Sequence, residues 1–195
     1  MNTPLGSVQE PEQQQALLGM ARTVIQRRLE GAPSPSFAEL DHQFAAPGAS
    51  FVTLTQTGQL RGCMGSLEAH RPLADDIRHN ALAAAFHDPR FDALTASELD
   101  KIDLSLSILT PPEPMTFKDE PDLLAQLRPD VDGVVLSMGR HRATFLPQVW
   151  QQLPEPKSFL GQLKMKAGLA IDFWNPQLEV QRYQVIKFAE AESAL

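Results

Sequence analysis

Apolar residues near the start of the chain recur at spacings of three and four, from Ala16 to Leu29. This spacing places them on one face of an α-helix, and Gly31 followed by Pro33 is typical of a helix end. Residues 1–11 carry two prolines and no apolar residue in helical register, so they are predicted to be a disordered tail. The pattern therefore predicts an N-terminal amphipathic helix behind a short tail.

Runs of β-branched and aromatic residues predict two hairpins. The first joins residues 51–55 to residues 60–64. The second joins residues 134–137 to residues 142–146 across a turn that contains Gly139. Because a two-stranded ribbon is not stable alone, both hairpins are expected to belong to one continuous sheet.

Two helical segments and a strand are predicted after the first hairpin. Pro72 opens a helix, which the dipeptide 88–89 ends. Thr95 and Glu98 then have the spacing of a capping box, which predicts a short helix. Polar and apolar residues alternate over 104–108, as in a half-buried strand.

The same order returns after the second hairpin. Pro147 opens a short helix, residues 158–167 form another, and residues 177–187 form a final strand. Each half thus has the order β-β-α-α-β. Hairpins combined with helices in this way favour an α+β fold, with two β-β-α-α-β repeats around a mainly antiparallel sheet.

The composition is that of a globular chain of 195 residues, with 43% hydrophobic and 21% charged residues. Residues 12–190 are expected to form one domain, either undivided or as two lobes of about 12–110 and 111–190. No apolar stretch approaches the roughly 20 residues that a membrane-spanning helix needs, and no secretion signal is recognised. A single cysteine fits a reducing compartment, so we expect a cytoplasmic protein without membrane contact.

The net charge of -7 arises from 17 basic and 24 acidic residues. A chain of this charge repels phosphate backbones, which disfavours nucleic acid as a partner, although a local basic patch could still bind a nucleotide. The histidines do not follow a zinc-binding spacing, so neither a metal nor a cofactor is predicted.

The densest chemical signal is the run 61–66, in which a thiol lies between two glycines and follows an arginine. Glycines allow close approach of a ligand, and a neighbouring cation favours the thiolate form of a cysteine. Cys63 is therefore a candidate nucleophile, with Arg61, Gly62 and Gly65 beside it. The alternative is that Cys63 is a small buried apolar residue, the commoner role of an unpaired cysteine.

Arg90 follows a proline that stiffens the end of a predicted helix. Its planar guanidinium suits a carboxylate or a phosphate. His87, in the last turn of that helix, has the alternative role of complementing the helix dipole. We expect Cys63 and Arg61 to line an accessible pocket with Arg90, and this pocket to bind an anionic or carbonyl-bearing small molecule.

Residues 60–66, 88–91, 107–113, 145–149 and 166–169 resemble, in order and spacing, motifs of the AMMECR-one family. Its prokaryotic members are called AmmeMemoRadiSam system protein A, and the likeness covers nearly the whole chain. The resemblance implies a duplication of two β-rich units around a single barrel-like sheet. The family's signature residues fall here on Arg61, Gly62, Cys63, Gly65, Asp88, Arg90, Pro147, Gln148, Lys166 and Gly168.

The resemblance also implies partners, namely a Memo-like protein and a radical S-adenosylmethionine protein. Cys63 is the candidate catalytic residue, and the candidate binding residues are Arg61, Gly62, Gly65, Arg90 and Lys166. Three functions remain open: an enzyme or catalytic subunit acting on a small molecule or nucleotide, a non-catalytic binding or scaffold module, and a regulator associated with nucleic acid.

Overall fold

The computed structural model describes residues 7–190, which form two compact units. Unit 1 contains the chain up to Leu109 together with the segment that begins at Ile186, and unit 2 runs from Thr110 to Val185. Residues 1–6 of the predicted tail lie outside the described residues. The rest of that tail is structured, since Ser7–Gln9 forms a short 3-10 helix in which Val8 is fully buried.

Unit 1 consists of helices packed on a sheet. Its elements are α1 (Pro11–Leu29), α2 (Ala38–Gln43), β1 (Pro47–Gln56), β2 (Gln59–Gly65), β3 (Arg71–Pro72), α3 (Leu73–Phe86), a 3-10 helix (Ala96–Lys101) and β4 (Ile102–Leu109). Unit 2 contains β5 (Glu113–Pro114), α4 (Glu120–Gln126), β6 (Gly133–Met138), β7 (His141–Phe145), a 3-10 helix (Pro147–Gln151), α5 (Pro156–Lys166) and β8 (Glu179–Tyr183). The last strand, β9 (Val185–Ala189), completes the sheet of unit 1.

The sheet of unit 1 has the strand order β2-β1-β4-β9, and β3 pairs with the start of β1. Strands β1 and β4 alternate, so that Val52, Leu54, Leu104 and Leu106 are buried while the residues between them are half-exposed. The buried face shares one hydrophobic core with α1 and α3. Burial of this single face explains the alternation of apolar and polar residues that predicts β4.

Arg22 on α1 fixes the end of β9. Its guanidinium donates to the carboxylate of Glu190 and to the carbonyl oxygens of Leu99 (2.9 Å) and Ile102 (2.8 Å). Glu190 also accepts from the amide of Leu104 at 3.0 Å, and its own amide donates back to the Leu104 carbonyl. One arginine therefore connects three segments of unit 1.

The sheet of unit 2 has the order β5-β8-β6-β7 and its own core, in which Trp150 stacks on Phe159 with ring centroids 3.7 Å apart. Its arrangement repeats that of unit 1. In each unit a hairpin is followed by two helical segments. The strand after these segments, β4 in unit 1 and β8 in unit 2, pairs antiparallel with the first strand of the hairpin. The β-β-helix-helix-β order predicted for both halves is present, with one 3-10 helix in each and with the two-residue β3 inserted before α3 in unit 1.

The α+β class, the antiparallel pairing and the N-terminal helix are confirmed, whereas the single barrel-like sheet is corrected. The hairpins lie in two separate sheets, and the described residues form no closed barrel. The first hairpin is joined by three further strands and the second by two, so neither remains the unstable ribbon on which the expectation was based. The predicted strand over 177–187 is likewise two strands, because Gln184 bonds to Thr110 between β8 and β9.

Candidate functional site

The β2 strand is held at Cys63 through its backbone. The Cys63 amide donates to Asp88 Oδ2 at 2.8 Å, and Arg90 Nη2 donates to the Cys63 carbonyl oxygen at 3.2 Å. Asp88 and Arg90 belong to the loop that follows α3, and Asp88 is 4% exposed. The motif around Cys63 and the motif around Arg90, which are distant in sequence, therefore meet through side-chain to backbone bonds.

Asp88 and Arg90 form a two-point ion pair. Arg90 Nε donates to Oδ1 at 2.9 Å and Nη2 donates to Oδ2 at 2.7 Å. The hydrogen bonds from Arg90, together with the amides of Cys63 and of Arg90 itself, hold the pKa of Asp88 well below its usual range despite burial. Asp88 is therefore a carboxylate at neutral pH, and its two oxygens fix the orientation of the Arg90 guanidinium.

Arg61 is held by a second carboxylate. Its Nε donates to Glu98 Oε1 at 2.8 Å and its Nη2 donates to Oε2 at 3.3 Å. A break in the β1–β2 register lies at this point, because Leu54 pairs with Gly62 but the next residue pairs with Leu60. A bulge of this kind re-aims the side chain of the extra residue, here Arg61.

Glu98 also closes the capping box of the first 3-10 helix. Its Oε2 accepts from the Thr95 amide at 2.9 Å and from the Thr95 hydroxyl at 2.8 Å. The hydrogen bond from Arg61, followed by those from Thr95, lowers the pKa of Glu98 to about 2. The predicted capping box is confirmed, and the same carboxylate positions Arg61.

We expect Glu98→Gln to lower the free energy of unfolding at pH 7 by about 1 to 2 kcal/mol, since it removes a charged hydrogen-bond acceptor. The pKa in the fold lies below the ordinary value of 4.5, so the stabilising contribution is complete above that value and is lost as the pH falls toward 2. Urea unfolding between pH 7 and 3 measures it. The difference between wild type and variant should shrink with acid, whereas Asp100→Asn, at an exposed position of the same helix, should change little.

An open cavity of about 610 Å³ lies beside these ion pairs. Its lining is formed by residues from β2, the loop after α3 and the 3-10 helix, namely Arg61, Pro89, Arg90, Phe91, Asp92, Ala93, Thr95 and Glu98. The guanidinium carbons of Arg61 and Arg90 lie 5.9 and 5.5 Å from the centroid of the Phe91 ring. Both cations of the lining therefore lie within cation–π distance of one aromatic ring.

The thiol of Cys63 is placed differently from the prediction. Cys63 is half-buried, and its Sγ accepts a hydrogen bond from Thr53 Oγ1 at 3.3 Å across the β1–β2 pair. The cavity lining includes Arg61 and Arg90 but not Cys63. The structure therefore brings the two arginines to one cavity. Cys63 contributes only its backbone, which bonds to Asp88 and Arg90.

Gly62 and Gly65 have packing roles. A Cβ on Gly62 would lie 2.2 Å from the carbonyl oxygen of Ala84, so β2 rests directly on the backbone of α3. A Cβ on Gly65 would lie 2.2 Å from the ring of Phe51, its partner on β1. The space that the sequence assigned to an approaching ligand is occupied by the protein's own atoms.

Lys166 belongs to unit 2, where it ends α5. Its Nζ donates to the carbonyl oxygen of Thr144 at 2.9 Å and lies 5.1 Å from the Phe145 ring centroid. Thr144 lies on β7, which occupies the end of its sheet as β2 does in unit 1. Arg90 and Lys166 thus act alike, because each donates to a carbonyl oxygen of the end strand in its own unit.

Sequence reasoning missed the two carboxylates. The motifs predict Asp88 only as a signature residue without a role, and Glu98 only as half of a capping box. The signal for Asp88 is its position two residues before Arg90, a spacing at which a turn allows the pair to close on itself. No comparable signal links Glu98 to Arg61, because their contact spans 37 residues.

Other kinds of site find no support in residues 7–190. No group of three or more His, Cys, Asp or Glu side chains is arranged there to hold a metal ion. None of the helices in this part of the chain combines the length and the hydrophobicity needed to cross a bilayer.

The fold and site define an α+β protein of two similar units, with an arginine-flanked cavity in the first. Residues 18–188 match the model of the AMMECR1 family, so the chain belongs to this family. A protein of Methanothermobacter thermautotrophicus is 38% identical over 177 residues, which cover 89% of this chain and 92% of that protein. A Nanoarchaeum equitans protein is 32% identical over 89% of this chain and 98% of its own length.

A solved structure supports the same fold. The crystal structure of an uncharacterized protein from Pyrococcus horikoshii superposes with a TM-score of 0.71 at 26% sequence identity. The match covers 90% of each chain.

Proposed function

We propose that this protein binds a small molecule in the unit 1 cavity and acts with a Memo-like protein and a radical S-adenosylmethionine protein in the cytoplasm. The observation that carries the binding proposal is the pair of guanidiniums fixed within 6 Å of the Phe91 ring centroid, at 5.9 Å for Arg61 and 5.5 Å for Arg90. Their orientation is set before any ligand arrives, because each is held at two points by a carboxylate. Preorganised donors of this kind lower the entropy lost on binding.

The charges of the lining favour a carbonyl or a single carboxylate over a phosphate dianion. Arg61 and Arg90 are balanced by Glu98 and Asp92 in the lining, and Asp88 adds a further negative charge behind Arg90. Within the described residues, the side-chain hydrogen bonds of both arginines are made by Nε and Nη2, so Nη1 of each remains a donor for a ligand oxygen. A flat polar molecule that places such an oxygen beside Phe91 fits both features.

Cys63 is more consistent with a binding protein than with nucleophilic catalysis. A nucleophilic thiol needs access to the substrate and a neighbouring base or cation directed at its sulfur. The sulfur instead lies outside the cavity lining and accepts a hydrogen bond from a threonine hydroxyl. We therefore favour the non-catalytic binding module among the functions that the sequence left open.

The test is mass spectrometry of the small molecules released when the purified protein is denatured. We expect a molecule that is retained by wild type and by Arg27→Ala, an exposed position on α1, and is lost from Arg90→Ala. Cys63→Ala and Cys63→Ser should both retain it. Equal retention by Arg90→Ala would contradict the site, and a chemically altered molecule in the cysteine variants would restore a catalytic role for the thiol.

The partners are proposed from the family resemblance alone. Co-expression of the chain with a Memo-like and a radical S-adenosylmethionine protein from its own cell, followed by size-exclusion chromatography, should give a common peak. Standard interfaces of about 1,600 Å² survive this dilution. Separate elution of all three proteins would argue against a stable complex.

A further inference from the structure

Strand β2 is the end strand of its sheet, and within residues 7–190 no strand pairs with its outer edge, which we call the open edge. In an antiparallel ladder, alternate residues direct both their amide and their carbonyl toward the same neighbour. Just beyond β2, the amide of Ser66 donates to Ser50 on β1 at 2.9 Å, which assigns Met64 and Gly62 to that inner side. Cys63, between them, directs its amide and carbonyl to the open edge.

The ion pair of Asp88 and Arg90 occupies this edge at its centre. Asp88 accepts the outward amide of Cys63, and Arg90 donates to the outward carbonyl. These are the two bonds that a neighbouring strand would make at Cys63. One acidic and one basic side chain thus replace a strand, and natural sheets use charged side chains in this way to block unwanted pairing.

We propose that the Asp88–Arg90 pair guards the open edge of β2 and prevents this strand from pairing with β2 of a second copy of the chain. A second copy is the occupant that the geometry fits, because antiparallel pairing of two identical strands about a two-fold axis places Cys63 opposite Cys63. The amide and carbonyl of each Cys63 would then bond to each other across the axis. These are the groups that Asp88 and Arg90 now hold.

The lone cysteine supplies the readout. Opposite residues in such a pair have Cα atoms about 5.5 Å apart, within the range that a disulfide can bridge. With one cysteine in the chain, any cross-linked dimer must join Cys63 to Cys63. Oxidation by copper-phenanthroline, followed by non-reducing electrophoresis, therefore reports an approach of two chains at Cys63 and at no other position.

We expect Asp88→Ala and Arg90→Ala to raise the cross-linked fraction at least threefold above wild type, with Asp88→Ala the stronger. Asp92→Ala, which changes an exposed acid of the same loop, should behave as wild type. Ile77→Ala weakens the core under α3 without touching the edge, and it controls for association of partly unfolded chains. If Asp88→Ala does not fold, Arg90→Ala carries the test, since its side chain is more than half exposed.

Hydrogen exchange of the Cys63 amide gives a second, independent readout. In Asp88→Ala or Arg90→Ala this amide should exchange faster than in wild type in dilute solution, and protection should return at high protein concentration. Cross-linking at the wild-type level in both edge variants would overturn the proposal. So would an equal rise in Ile77→Ala, or exchange that does not depend on concentration.

Discussion

Replacement of Asp76 by alanine is expected to lower the free energy of unfolding by about 3 to 5 kcal/mol. Asp76 is 1% exposed, and its Oδ2 accepts from the Ser50 amide (2.9 Å), the Ser50 hydroxyl (2.7 Å) and Asn80 Nδ2 (2.9 Å). Its Oδ1 accepts from the Ser66 hydroxyl at 2.7 Å, with Arg71 Nε 3.6 Å away. The substitution would leave several buried donors without an acceptor.

Asp75 provides the matched control, since it lies next to Asp76 in the first turn of α3. Its carboxylate is 51% exposed and pairs with Arg78, so Asp75→Ala should cost no more than about 1 kcal/mol. Both substitutions remove one negative charge near the same helix N-terminus. Chemical denaturation at pH 7 measures the two losses, and equal values would show that the buried cluster contributes little.

Gly62→Ala is expected to lower the free energy of unfolding by about 3 kcal/mol, at the upper end of the effects of overpacking. The added carbon would lie 2.2 Å from the Ala84 carbonyl oxygen and 3.1 Å from its carbonyl carbon. Both are backbone atoms of α3, so relief requires a shift of the helix or of β2. The shift should also disturb Cys63 and Arg61 on either side of the glycine.

Gly19→Ala is the control for this substitution. Gly19 lies within α1, and apart from its chain neighbours and the backbone of its own helix no atom lies within 4 Å of the added carbon. Alanine is also the better helix former by up to about 1 kcal/mol. Gly62→Ala should therefore lower the free energy of unfolding, whereas Gly19→Ala should raise it. A Gly62→Ala variant as stable as wild type would mean that β2 and α3 separate easily.

The elements that could be predicted are those whose sequence period matches one buried face. Strands β1 and β4, helix α1 and the Thr95–Glu98 capping box were all readable, because their signals lie within one element. The division into two sheets was not readable, because it depends on which strands pair across long sequence separations. Gln184 also lies within an alternating pattern, so the break between β8 and β9 has no local signal.

The candidate site was located by its motifs, but its geometry was not predictable from them. Arg61 and Arg90 do line one cavity. The roles of Gly62 and Gly65 depend on the α3 backbone and the Phe51 ring, which no spacing rule brings close. Glycines in a motif thus indicate that other atoms approach the backbone closely, but they do not distinguish a ligand from the rest of the chain.

Because β9 returns to the first sheet, it also affects the order in which the two units can fold during translation. Unit 2 is one continuous stretch, whereas unit 1 needs a strand that leaves the ribosome after all of unit 2. During translation Arg22 therefore lacks its ion-pair partner Glu190 until that residue has been synthesised. The edge of β4 that pairs with β9 stays unpaired over the same period. The nascent chain is thus expected to fold unit 2 while unit 1 is still incomplete, and a message cut short after residue 185 would yield a first unit that lacks its closing strand.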